Sequence, residues 1–116
     1  MTRWIQAYFS EDDVLSYFEL GDDGWALRQV DLEGLRHAPV TAAALTEVLE
    51  LRDNADLTAM ADYERKYGVL AEGRLDGWED TEGAAEITED TFERIWLAAR
   101  HRLESADSPA EDEGTA

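Results

Sequence analysis

Val14-Leu15-Ser16-Tyr17-Phe18-Glu19-Leu20-Gly21-Asp22-Asp23-Gly24-Trp25-Ala26-Leu27-Arg28-Gln29-Val30-Asp31-Leu32 reads as two strands joined by a turn, and this reading decides the fold class. Both flanks are rich in aromatic and β-branched residues, which suit a pleated, half-buried surface. Asp23-Gly24 is a favoured pair for a two-residue type I′ turn, in which both central residues take positive φ. Such a turn sets Glu19 opposite Arg28, Leu20 opposite Leu27 and Tyr17 opposite Val30. Phe18, Leu20, Trp25 and Leu27 then share one face, the expected core face. Tyr17, Glu19, Ala26, Arg28 and Val30 share the other.

Upstream, Trp4-Ile5-Gln6-Ala7-Tyr8-Phe9 is a further strand, separated from Val14 by the polar loop Ser10-Glu11-Asp12-Asp13, so a first hairpin precedes the second. Downstream of Glu33-Gly34 the chain turns to Ala, Leu and Glu, which predicts a change of period from two to 3.6. Pro39 punctuates this change. Thr41 is the expected N-cap of a helix through about Arg52, and Leu57 to Tyr67 forms a second helical stretch ending at Gly68. Val69-Leu70-Ala71 is the candidate fourth strand, and residues 72–85, with Gly73, Gly77 and Gly83 among acids, read as loop. Thr88 as N-cap, acids in the first turn and an apolar stripe of Phe92, Ile95, Trp96, Ala99 and Leu103 define the last helix, with Arg100-His101-Arg102 at its positive-favouring end. The expectation is a single α+β domain over residues 1–104: an N-terminal antiparallel three- to four-stranded meander packed against about three helices on one sheet face. A disordered acidic tail over residues 105–116 follows.

The 116 residues carry 28 Asp+Glu against 10 Lys+Arg, a formal charge of −18. Negative potential of that size repels phosphate backbones and anionic headgroups, so direct nucleic-acid binding and membrane association are not expected. No apolar run approaches a membrane span, and the start of the chain leads into a strand and not a signal-peptide core, which points to a cytoplasmic protein. The chain has no Cys, which fits a reducing compartment and removes thiol catalysis and thiolate metal sites.

Enzyme signatures are missing: there is no phosphate-cradling glycine loop followed by Lys-Ser/Thr, no Gly-x-Ser-x-Gly elbow and no His-Glu-x-x-His zinc helix. His37 reads as a loop residue and His101 as a helix-end cation. Asp76, Asp80 and Glu82 alternate like calcium-loop ligands, yet Trp78 occupies a ligand position and the glycine and terminal Glu are misplaced. No catalytic residue, cofactor or metal is assigned. Glu19 and Arg28, beside Tyr17, form either a cross-strand ion pair or a ligand-binding patch on the sheet.

The acids cluster. Residues 11–23 hold Glu11, Asp12, Asp13, Glu19, Asp22 and Asp23 with no base, and residues 71–93 set nine acids against Arg74 alone. Electrostatic steering toward a basic protein partner follows, with Trp25 and Trp78 as aromatic anchors beside the acids. The expected partner-binding set is Glu11, Asp12, Asp13, Asp22, Asp23, Trp25, Asp76, Trp78, Glu79, Asp80 and Glu82.

Tyr17-Phe18-Glu19-Leu20, then Arg28-Gln29-Val30, and finally Phe92-Glu93 with Ile95-Trp96 together resemble a family of small uncharacterised bacterial domains. In that family a Ser-Glu-Leu strand, an Arg-x-Val strand and a terminal Phe-Glu-x-Val-Trp-like helix recur. Phe18 stands where the pattern has Ser. The resemblance covers roughly residues 4–32 and 86–98, implies an α+β meander fold and carries no activity. Small acidic domains of this look serve as immunity or antitoxin partners, so the leading expectation is a non-enzymatic, acidic protein-interaction domain of the immunity/antitoxin-inhibitor type. The alternatives are a DNA mimic and a small-ligand-binding or enzyme-accessory domain.

Overall fold

Four consecutive strands, β1 (Arg3–Phe9), β2 (Val14–Leu20), β3 (Ala26–Glu33) and β4 (Ala38–Ala44), form an antiparallel meander, and β5 (Ala85–Ile87) returns to pair with β1. The sheet order is β4-β3-β2-β1-β5. Helices α1 (Leu45–Asp53) and α2 (Leu57–Tyr67) follow β4, and α3 (Glu89–Ala106) follows β5. This computed structural model describes residues 2–34, 37–54, 56–71 and 77–106. The α+β class and the N-terminal meander agree with the sequence reading, with one strand more than expected.

The β2–β3 register holds Tyr17 opposite Val30 and Glu19 opposite Arg28, as expected. The turn that produces it differs. Gly24 N–H donates to the Gly21 carbonyl and Gly21 N–H to the Trp25 carbonyl, each at 3.0 Å. Of the loop residues only Gly24 has positive φ, at 83°. Asp22-Asp23-Gly24 is therefore a three-residue loop, a turn followed by a left-handed glycine, and not a type I′ pair. It brings Leu20 opposite Ala26, and a bulge between Glu19 and Leu20 absorbs Leu27 and restores the Glu19–Arg28 pair. The changed register turns Ala26 to the core face. Ala26 joins Phe18 and Leu20 in the core, while Leu27 is half-buried and Trp25 is 40% exposed.

Thr41 to Ala44 is strand and not helix. Ala42-Ala43-Ala44 favours a helix locally, but these residues pair with Val30, Gln29 and Arg28 and are buried. Small side chains suit them to this place because chains approach from both sides. Pro39 lies in the same strand, next to the register shift, at the sheet edge where a missing N–H costs no ladder bond. Val69 to Ala71, the expected fourth strand, is not a strand; Leu70 is buried beneath it, and Ala71 N–H donates to Gln29 Oε1 at 2.7 Å.

Both faces of the sheet are covered, which corrects the expectation of helices on one face. On one side Ile5, Phe18, Leu20, Ala26 and Ala43 pack with Leu70 under Leu45 and Val48 of α1, Tyr63 of α2, and Trp78. On the other, Tyr17, Val30 and Ala42 pack under Phe92, Ile95, Trp96, Ala99 and Leu103, the stripe expected for α3. Thr88 caps α3, its hydroxyl accepting from Thr91 N–H at 3.1 Å, and Asp56 caps α2 by accepting from Ala59 N–H at 2.9 Å. The last helix runs to Ala106, so Ser105 and Ala106, assigned to the tail by composition, are helical. The rest of the expected tail lies outside the described residues.

The β4 edge is closed by side chains. Arg100 Nε donates to the Ala42 carbonyl at 2.8 Å, and Ala44 N–H donates to the Tyr63 hydroxyl at 2.9 Å. The turn after α2 presses onto the same strand at Gly68, where φ is +83° and a Cβ would lie 2.5 Å from Thr41 Oγ1 and 2.9 Å from the Val40 carbonyl. Only glycine fits there. Gly68→Ala is expected to destabilise the fold by at least about 2 kcal/mol, and Phe92→Ala, which empties a fully buried site, by about 3–5 kcal/mol. Urea unfolding midpoints at unchanged slope measure both.

Candidate functional site

Arg28 projects from β3 into the layer between sheet and α3, where the expected sheet-face set Tyr17, Glu19 and Arg28 is found together. Its Nε donates to Glu19 Oε1 at 2.8 Å and its Nη2 to Glu19 Oε2 at 2.9 Å, a bidentate fork across the strands. Nη1 donates to Glu93 Oε1 at 3.2 Å, and Nη2 also contacts Glu93 Oε2. The guanidinium carbon stands 4.9 Å from the Phe92 ring centre and 5.1 Å from that of Trp96. Trp4 Nε1 completes the group by donating to Glu19 Oε2 at 3.0 Å. The side chains of Arg28 and Glu19 are 19% and 15% exposed, and Tyr17 is buried.

Each nitrogen of this guanidinium is committed to a carboxylate of the same chain, and α3 covers its faces. Hydrogen bonds from Arg28 hold the Glu19 carboxyl below its ordinary value, with burial opposing and Trp4 assisting. A carboxyl held ionised in this way is a poor general acid near neutrality. The geometry is that of an internal clamp between sheet and helix.

A second cluster, not anticipated, lies one helical turn further along α3. Arg100 contacts Glu47 of α1 through Nη2 at 2.5 Å and Nη1 at 3.3 Å, and its guanidinium carbon is 3.8 Å from the Tyr67 ring centre and 4.4 Å from that of Trp96. The Tyr63 hydroxyl donates to Glu47 Oε1 at 2.6 Å. Burial, then this bond to Glu47, pushes the Tyr63 phenol up to about 12. Burial works against the charge on Glu47, but the bonds from Arg100 and Tyr63 outweigh it and leave that carboxyl below its ordinary value. Arg100 recurs four residues after Trp96, on the inward stripe, so it faces the core, whereas position alone had marked it as a helix-end cation.

The expected partner-binding residues divide between the two ends of β2. Glu11, Asp12 and Asp13 are exposed in the β1–β2 loop, where Asp13 accepts from the Tyr8 hydroxyl at 2.8 Å. Glu82 joins them, its carbonyl accepting from Tyr8 N–H at 2.8 Å. Asp22, Asp23 and Trp25 are exposed at the opposite end. Trp78, in a short 3-10 turn (Trp78–Asp80), is half-buried against the core with the Arg3 guanidinium 5.3 Å from its ring centre, so it is more a packing residue than a free anchor. Glu79 and Asp80 are exposed beside it, and Asp76 lies outside the described residues.

An apolar groove of about 450 Å³ opens between α1, α2 and the chain after Gly68. Leu49, Leu57, Val69 and Trp25 line it while remaining 41%, 83%, 61% and 40% exposed. Of these only Trp25 is singled out by the sequence as a surface anchor; Leu57 reads there as the start of a helical stretch and Val69 as part of a candidate strand.

No family model, no curated protein and no solved structure matches this chain. Among the described residues no helix is long and apolar enough to cross a membrane, and no group of three or more His, Asp or Glu is placed to hold a metal ion. The function must be read from the surface and the packing.

The Glu19 clamp has a pH signature. A carboxyl lowered in the folded state contributes stability above its unfolded value of 4.5, and that contribution fades as pH falls through the lower folded value. Glu19→Gln is expected to cost about 1–3 kcal/mol at pH 7. The gap in thermal midpoint between wild type and variant should be constant above about pH 5 and close progressively below it, read by circular dichroism from pH 7 to 3.

Proposed function

We propose that this chain is a non-enzymatic, acidic protein-interaction domain that binds a basic protein partner, in the manner of an immunity or antitoxin-type inhibitor. One observation carries the reading: the two arginines that enter the interior, Arg28 and Arg100, are neutralised by acids of the same chain, and further arginines are paired at the surface, while loop acids stand exposed without ion pairs. Arg3, Arg28, Arg65 and Arg100 are each paired with acids of the same chain. Glu11, Asp12, Asp80 and Glu82 are exposed and enter no ion pair among the described residues. The acids left without ion pairs give the loops an outward negative field, and such a field accelerates encounter with a cationic surface. The carboxylates that approach one another in the interior are locked to arginines, which supports a binding role over an acid–base one.

The test is capture on the immobilised full-length protein. A cationic protein retained at about 50 mM salt and released by about 500 mM is the expected result. Replacing Glu11, Asp12, Asp80 and Glu82 by their amides should slow association about tenfold or more while changing dissociation less, as measured by surface plasmon resonance at several salt concentrations. Retention of a partner that salt does not weaken, or an association rate indifferent to the four substitutions, would overturn the reading.

A further inference from the structure

We propose that the groove between α1 and α2 is the docking site for a cationic amphipathic helix, whose apolar side enters the groove while lysines or arginines flank it. The inference deepens the proposed function and rests on it for the sign of the partner's charge. Four large apolar side chains around one groove, Leu49, Leu57, Val69 and Trp25, remain 40–83% exposed, although the same chain buries Phe92, Ile5 and Val30 completely. The groove continues inward to the buried Leu70 and to Leu45 and Val48, so it is an opening in a packed core. Contiguous exposure of this kind marks an interaction surface.

The walls restrict the occupant. Two of them are helices, whose backbone groups are already bonded internally, so they offer no strand edge to an extended peptide. An occupant buried against them must satisfy its own backbone, which a helix does. Its apolar side chains, recurring at helical spacing, would meet Leu49, Leu57, Met60 and Val69.

Charge selects among helices. Asp56 and Glu64 line the groove, and Glu64 enters no ion pair among the described residues. Asp22 and Asp23 stand exposed in the loop that carries Trp25. Arg52 also lines the groove but has an interaction of its own. A second copy of this chain carries the same overall formal charge of −18, and like charges brought together oppose association. A helix with basic flanks gains from the same field.

The probe is a synthetic amphipathic helix of about five turns with leucines on one face and lysines on its flanks, set against the same peptide with glutamates for lysines. Binding to the full chain is followed by 15N–1H chemical-shift mapping and titration calorimetry. The lysine peptide should bind, perturb α1, α2 and Trp25, and lose affinity about tenfold or more on Leu57→Ser with Val69→Ser. Both positions are exposed, so the fold should survive, and neither change alters the charge. The glutamate peptide should not bind.

Equal binding of both peptides, shifts confined to the acidic loops, or indifference to the two serine substitutions would overturn the docking site. So would concentration-dependent dimerisation abolished by those substitutions, because the occupant would then be a second copy. A captured basic protein whose binding needs the acidic loops and ignores Leu57 and Val69 would sink the groove and leave the proposed function standing. A lysine peptide seated in the groove with no salt-sensitive protein partner would do the reverse.

Discussion

Trp96 holds two layers of this protein together because two guanidinium groups lie over one indole. Arg28 reaches it from β3 and Arg100 from the next turn of α3, at 5.1 and 4.4 Å from the ring centre. Each arginine also gathers carboxylates: Glu19 and Glu93 for the first, Glu47 for the second. The indole is thus shared by two ion-pair clusters that join β2, β3, α1 and α3. In a chain this acidic, cations are scarce, and an arginine placed between a carboxylate and an aromatic face serves packing and charge compensation together.

That scarcity shapes the rest of the molecule. Among the described residues no buried side-chain polar atom lacks a hydrogen-bond partner, and the charges that need compensation inside receive it from Arg28 and Arg100. Most of the acids left over lie on exposed loop and helix surfaces, where water solvates them. Interior order and exterior field are two results of one allocation.

The sequence was legible where local signals agreed with tertiary demand. Alternation in β2 and β3 predicted the Glu19–Arg28 pair, and Thr88 with the Phe92 to Leu103 stripe predicted α3. It misled where two errors cancelled, as at the Asp22-Asp23-Gly24 loop, one residue longer than the expected turn, whose extra residue is offset by the bulge at Leu27. It also misled at Ala42-Ala43-Ala44, where helix propensity of a few tenths of a kcal/mol per residue yields to ladder bonds with β3 and to close packing from α3 and the α2 turn. The clusters around Arg28 and Arg100 were half visible. Glu19 and Arg28 share a face by parity, but Glu93 and Glu47 arrive from elements distant in the chain, and no local pattern specifies such meetings. The groove was invisible for a related reason: Leu57 and Val69 belong to a helical stretch and a candidate strand by local pattern, and only the assembled surface shows them uncovered.

The side chains on β4 carry a consequence beyond packing. A sheet normally ends in a row of open amides and carbonyls that can recruit a strand from another molecule. Here the Ala42 carbonyl is occupied by Arg100 and the Ala44 amide by the Tyr63 hydroxyl, while the opposite border is β5, three residues long. Neither border offers a long template for fibril growth, so the sheet is terminated chemically at one side and by length at the other.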